Sequence, residues 1–317
     1  MKYRRAGNSG LLFPAVSLGF WHNFGSTDSY ANMKELVTTA FDHGITHFDL
    51  ANNYGPVYGA AEMNFGRLMK DLFRPYRDEL LISTKAGYDM WEGPYGNWGS
   101  KKYLVASLDQ SLRRMGLSYV DIFYHHRPDP ETDLHETCEA LSSIVRSGKA
   151  LYVGLSNYDG ARMKEAAAIL KELHTPFVIN QNRYSIFDRT IEQNGLKEGA
   201  AEEKKGIIAF SPLAQGLLSD KYLKGIPEDS RIRKDGRFLH ETDLTPEKLE
   251  KIRNLNDLAG ERGQTLPQMA LSWVLKDEEV TSVLIGASKA SQILENLKIL
   301  EAAPFSEEER KKIDSFS

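Results

Sequence analysis

Cysteine is nearly missing from this sequence: Cys138 is the only one in 317 residues. A single thiol excludes an intramolecular disulfide and a thiolate metal cluster, and it suits a reducing cytoplasm. Charge of one sign is scarce as well. The net charge of −4 is spread over segments of mixed sign, which argues against an electrostatic grip on nucleic acid or an anionic membrane. No apolar stretch is long enough to span a bilayer, and Met1-Lys2-Tyr3-Arg4-Arg5 lacks the apolar run of a signal peptide. A soluble cytoplasmic chain is expected. Low-complexity tracts, internal repeats and linkers are missing too, so residues 1–317 read as one domain. No Gly-x-Gly-x-x-Gly follows a strand, which removes the phosphate loop of a Rossmann domain.

What is present is an alternation. Short apolar, β-branched runs fall at Ala15–Leu18, Ile45–Leu50, Leu80–Thr84, Val120–Tyr124, Leu151–Leu155, Phe177–Asn180, Gly206–Phe210 and Ser282–Ile285. Between them lie segments of helical period, among them Ser29–Asp42, Lys101–Met115, Asp133–Arg146, Ala161–Leu173 and Leu266–Lys276. Several runs are apolar almost throughout, the mark of parallel strands buried on both faces. Eight such units predict an α/β fold of the (β/α)₈ TIM-barrel type rather than a doubly wound sheet. A further hairpin, Tyr3–Arg5 with Leu11–Phe13, precedes the first barrel strand and is expected to close one end. Gly44 and Gly116 stand where helices should stop, and Thr245-Pro246 where one should start. The long segments 87–100 and 215–242 read as binding loops or lids.

A barrel presents reactive groups at the C-terminal ends of its strands. The second run ends in Asp49 and leads to Tyr54, the third ends in Lys85, the fourth in His125-His126. A tyrosine, with an ordinary pKa of about 10, is a poor acid near neutrality. A neighbouring ammonium is expected to lower that pKa, an aspartate to hold the lysine charged, and a histidine to orient a carbonyl oxygen. Together they make a general acid aimed at an oxygen that gains negative charge. None of these side chains supplies a hydride, so a cofactor must. His125 and His126 are adjacent on one strand and face opposite ways, so they cannot share a rim metal. No metal site is expected. The other histidines read plainly: His43 ends a helix, His47 lies in a strand, and His135, His174 and His240 are surface residues.

These residues carry a resemblance. Phe48-Asp49-Leu50-Ala51-Asn52-Asn53-Tyr54-Gly55, Ser83-Thr84-Lys85 and His126-Arg127-Pro128-Asp129 resemble the signatures of aldo-keto reductases. Gly154-Leu155-Ser156-Asn157, Gln181-Asn182, Phe210-Ser211-Pro212-Leu213 and Gly286-Ala287-Ser288 are similar to further blocks of that family, in order, from Leu18 to about Leu300. Within it, the loop from Gly87 and the run Ser107–Gly116 are most like the bacterial L-glyceraldehyde 3-phosphate reductases, with potassium channel β subunits as cousins. The resemblance implies a catalytic tetrad of Asp49, Tyr54, Lys85 and His126, Tyr54 being the proton donor. His125 competes for the last place, and the Arg-Pro-Asp register favours His126. The channel subunits carry Asn there.

The resemblance further implies NADPH lying extended across the barrel mouth. Gly19, Phe20, Trp21 and Asp49 would border it. Ser156, Asn157 and Gln181 would hold the carboxamide, and Phe210, with Ser211, Pro212 and Leu213, would stack on the nicotinamide. Gln215, Gly216, Lys221 and Arg231 would cover the pyrophosphate. After the eighth strand, Gly286, Ser288 and Lys289 open a helix whose N–H groups and cation suit the adenosine 2′-phosphate; Gln292, Glu295 and Asn296 would meet the adenine. Trp21, Tyr54, Tyr88 and His126 are the substrate candidates, and Trp91 and Trp98 lie on the same loop as Tyr88. The substrate implied is a small polar, or phosphorylated, aldehyde, and the assembly a homo-oligomer, tetramer or octamer. The alternative is an NADPH-loaded, redox-sensing regulatory subunit like the channel β subunits.

Overall fold

The computed structural model describes residues 1–223, 225–228, 231–234 and 239–317, and the side chains of Arg231 and Lys234 lie outside that description. Strands β1 (Tyr3–Arg5) and β2 (Leu12–Pro14) form the antiparallel hairpin, in register Tyr3 opposite Pro14. The eight strands that follow are β3 (Val16–Gly19), β4 (His47–Asp49), β5 (Leu81–Ala86), β6 (Val120–His125), β7 (Ala150–Ser156), β8 (Phe177–Arg183), β9 (Gly206–Phe210) and β10 (Val280–Ile285). They pair in parallel and in sequence order, and β10 closes on β3, so the sheet is a barrel without edges. Each expected run holds one of these strands, displaced at its ends by a residue or a few.

Helices begin and end where local chemistry dictates. The side chains of Ser29 and Ser100 cap α1 (Tyr30–Asp42) and α3 (Lys101–Met115) by accepting from Asn32 N and Tyr103 N. Gly116 stops α3 with φ of 65°, a left-handed conformation that costs glycine little. Thr245 accepts from Lys248 N, and Pro246 opens the helix Pro246–Glu261. The periodicity survey passed over α2 (Ala60–Leu68) and Glu307–Phe316. Alanine and glycine dilute the apolar stripe of α2, and the last helix is mostly charged.

Apolar side chains form two clusters. The larger lies between barrel and helices and includes Phe48, Phe65, Leu104, Leu141 and Trp273. The smaller includes Leu81, Ile122, Tyr124, Val178, Ile208 and Leu284, with Ala6 and Phe13 of the hairpin segment. Phe13 thus plugs the end of the barrel opposite the rim that carries Tyr54. Alternation along a strand sends His47 and Asp49 to the same side as Ser83 and Lys85, so a polar column rises above that plug. Gly154 is required beside it: a Cβ there would stand 2.3 Å from the Tyr124 ring. Among the described residues, no helix is long and apolar enough to cross a membrane.

Candidate active site

Asp49 ends β4, and the chain then turns twice to bring Tyr54 back over the barrel. Leu50 N donates to Ser83 O, Asn52 N to Lys85 O and Tyr54 N to Ala51 O. Helix α2 follows and is anchored from behind by Glu62. This fully buried carboxylate accepts from Thr84 Oγ1 at 2.6 Å and from Arg114 Nε at 2.7 Å. One carboxylate thereby ties the Tyr54 turn to β5 and α3. Sequence reading missed it, although a Glu flanked by apolar residues near a helix start hints at burial.

Lys85 is fully buried, and its Nζ donates to Asp49 Oδ2 at 2.5 Å, to Leu50 O at 2.6 Å and to the Tyr54 hydroxyl at 3.3 Å. Three donors meet three acceptors, which leaves the ammonium one orientation. Asp49 is also saturated, since Oδ1 accepts from Ser83 Oγ at 2.7 Å and Gln181 Nε2 at 3.1 Å. Burial draws the Lys85 pKa below its ordinary value, and the Asp49 carboxylate, then Glu62, draw it back. The Tyr54 pKa lies well above 10, chiefly through burial and then through Asp49 and Tyr88. The direction reverses the expectation that Lys85 lowers it. In this closed site desolvation of a phenolate outweighs one ammonium, and the phenol stays neutral.

His126 lies beside Tyr54, ring centroids 5.9 Å apart. Burial, then Lys85, His125 and Arg127, holds its pKa well below 6.5, so the ring is neutral. His125 faces away, its Nδ1 2.7 Å from the Tyr158 hydroxyl and its ring against Gly99. Strand alternation thus places His126, and not His125, at the rim.

Several of the residues expected to border the cofactor lie at or near strand ends on that rim. Ser156 ends β7 and Gln181 lies two residues before the end of β8; Asn157 takes φ of 61° and donates to His126 O and Ser156 Oγ. Phe210 ends β9 half-buried, and Ser211, Ala214, Gln215 and Gly216 follow with positive φ. Pro212 and Leu213 lie in that turn, and the Gln215 amide donates to Ser211 Oγ. At Gly216 and Gly286 an added Cβ would meet nothing within 4 Å. Hydroxyl and amide groups fit a primary carboxamide, and the open glycine backbones leave room for a chain of phosphates. The set fits a nicotinamide dinucleotide. Gly19, Phe20 and Trp21 lie at the end of β3, where Phe20 turns wholly into the core, stacked on Phe24. Lys221 is exposed on a short turn. The Arg231 side chain lies outside the described residues.

At the far end, Gln292 Oε1 accepts from Ser288 N, Ser288 Oγ and Lys289 N. The two N–H groups expected to meet a phosphate are thus capped by this chain's own amide. Glu295 pairs with Lys298, and Asn296 is buried.

The loop after Lys85 is organised by Arg127. Its guanidinium lies 4.2 Å from the Tyr88 ring centroid and 3.7 Å from that of Trp98, and it donates to Gly87 O and Asn97 Oδ1. Tyr88 in turn meets His126 edge-on at 4.7 Å, and Trp21 lies 6.4 Å from Tyr54. Tyr88 and Trp21 therefore flank the reactive groups, whereas Trp91 packs on Tyr103 and Trp98 on Arg127. A lysine offers neither the flat stacking face nor the fork of donors. Arg127→Lys is expected to raise the aldehyde KM by about five- to tenfold with cofactor affinity kept, the scale of one stacked cation. Steady-state kinetics decides it: an unchanged KM would show that the loop does not hang on this residue.

Comparison with known proteins agrees with this construction. The sequence pattern of the Aldo/keto reductase family matches residues 15–317. An L-glyceraldehyde 3-phosphate reductase of Escherichia coli (strain K12) is 55% identical over 317 residues, 99% of this chain and 92% of that protein. A probable voltage-gated potassium channel subunit beta of Oryza sativa subsp. japonica is 34% identical over 310 residues, 96% of this chain and 92% of that one. Among solved structures, a thermostable aldo-keto reductase in complex with the inhibitor epalrestat superposes with a TM-score of 0.78 at 30% identity over all of both chains. An edgeless parallel barrel with Asp, Tyr, Lys and His at one rim, and this likeness over nearly its whole length, establish that the chain is an oxidoreductase belonging to the aldo/keto reductase family.

Proposed function

We propose that the protein reduces small polar aldehydes to alcohols with NADPH, L-glyceraldehyde 3-phosphate and methylglyoxal being the first candidates, and that Tyr54 is the general acid. The observation that carries this reading is the closed set of contacts from Asp49 through Lys85 Nζ to the Tyr54 hydroxyl. A bound nicotinamide supplies the hydride that no side chain can. Ser156, Asn157 and Gln181 would hold its carboxamide, with Phe210 against the ring. Trp21, Tyr88 and His126 enclose the aldehyde, and the neutral His126 ring offers its carbonyl oxygen a hydrogen bond. Tyr54 gives that oxygen its proton as the C–O bond becomes single, and Lys85 stabilises the phenolate left behind.

The triose phosphate comes from the Escherichia coli relative's name, and methylglyoxal from its small polar carbonyl. NADPH oxidation followed at the nicotinamide band, with each aldehyde in turn, tests the proposal. Tight NADPH binding without turnover of any aldehyde would instead favour a cofactor-sensing subunit. A histidine rather than an asparagine at position 126 weighs against that alternative.

The preference for NADPH rests on Ser288 and Lys289. Lys289→Ala is expected to raise the NADPH Kd at least tenfold and leave the NADH Kd within twofold, since only NADPH carries the 2′-phosphate. Fluorescence titration of both cofactors measures this, and an unchanged preference would remove Lys289 from the site.

A further inference from the structure

The fold gives the strand residue His47 an unusual place. It lies inside the barrel, fully buried, one level below Asp49 on the same strand. Its Nε2 is 3.0 Å from Ser83 Oγ, and Ser83 Oγ is 2.7 Å from Asp49 Oδ1. A serine hydroxyl has one proton, and a carboxylate can only accept. The Ser83 proton therefore goes to Asp49, and Ser83 must accept from His47. This settles the tautomer: the proton is on Nε2. Nδ1 makes no hydrogen bond and lies in an apolar wall, where the Phe13 ring meets the imidazole edge-on at 4.8 Å. Burial, with Lys85 adding and Asp49 opposing, holds the His47 pKa down at about 4, so the ring is neutral at working pH.

We propose that His47 is a positioning residue for the reaction, donating through the Ser83 hydroxyl to Asp49 and so setting the field that Tyr54 feels. The inference rests on Tyr54 being the general acid. The titratable groups around the array are Asp49 on β4, Lys85 on β5, Tyr124 on β6, His126 just after β6, and Tyr54 and Tyr88 on the loops. Asp49 raises the Tyr54 pKa. Donors on Asp49 spread its charge, so a carboxylate that loses the relayed donor holds the Tyr54 proton more tightly. The hydroxyl is then a weaker acid.

The test compares His47→Leu with His47→Gln, whose amide nitrogen keeps a donor near the Nε2 position. His47→Leu is expected to lower kcat by up to about tenfold, the scale of one hydrogen bond, with KM and NADPH affinity within twofold. The alkaline limb of its kcat–pH profile should move to higher pH, and His47→Gln should recover most of both changes. Equal losses in the two variants, or a wild-type profile in His47→Leu, would overturn the proposal. Should His47→Leu fail to fold, Ser83→Ala interrupts the same relay with little change in volume and should give the same loss of kcat and the same shift. A wild-type profile in Ser83→Ala is equally fatal. Full turnover by Tyr54→Phe would refute the general-acid reading itself, a result separable from any outcome at His47.

Discussion

Tyr54→Phe is expected to lower kcat/KM for any aldehyde substrate by about 10²- to 10⁴-fold, the contribution of a positioned general acid. The ring should stay where it is, because its placement comes from the backbone bonds of Tyr54 N to Ala51 O and Ala61 N to Tyr54 O. Cofactor affinity should therefore change by less than twofold, and the fold should keep its stability within about 1 kcal/mol, as for loss of one hydrogen bond. A loss shared between turnover and cofactor binding would place Tyr54 in the cofactor site rather than at the proton. Turnover against NADPH, with separate fluorescence titration of the cofactor, distinguishes the two.

The second large effect is at Lys85. Lys85→Met should abolish turnover and also destabilise the protein by about 3–5 kcal/mol, because it strands a buried carboxylate without its cation. Ser83 and Gln181 still donate to Asp49 Oδ1, but Oδ2 loses the Nζ at 2.5 Å. Asp49→Asn/Lys85→Met removes both charges. It should recover most of the stability while remaining inactive, since buried pairs contribute little net stability even though breaking one is costly. Urea unfolding of the wild type, both single variants and the double variant closes the cycle. A double variant as unstable as Lys85→Met would mean that the cost is packing and not an unpaired charge. Activity and stability thus separate at this pair, as expected where a buried ion pair is held for chemistry.

The barrel was legible because its cause is local. Runs of β-branched and apolar residues between helical segments specify strands buried on both faces, and eight of them in alternation close on themselves. Asp49, Tyr54, Lys85 and His126 could be read as neighbours because a barrel puts successive strand ends on one rim. The Arg-Pro-Asp register favoured His126 over His125, and strand alternation only required that the two face opposite ways. The cap Thr245 and the stop glycines Gly44 and Gly116 were legible for the same local reason.

Other features depend on contacts between residues far apart in the chain. Only the fold brings Thr84 and Arg114, 22 and 52 residues away, around Glu62. Arg127 looked like part of a motif, and only the folded loop set its guanidinium against Tyr88 and Trp98. The sign of the Tyr54 pKa shift followed from burial, which no spacing of residues reveals. The Ser288–Lys289 turn kept its predicted place, but Gln292 had already satisfied its N–H groups. By itself, then, the sequence determined the barrel and the four groups on its rim, because strand period and strand order are written along the chain. The tertiary structure decided which charges are buried, which donors are already engaged and how His47 reaches Asp49, because those depend on distance and solvent exclusion between segments that only the closed fold brings together.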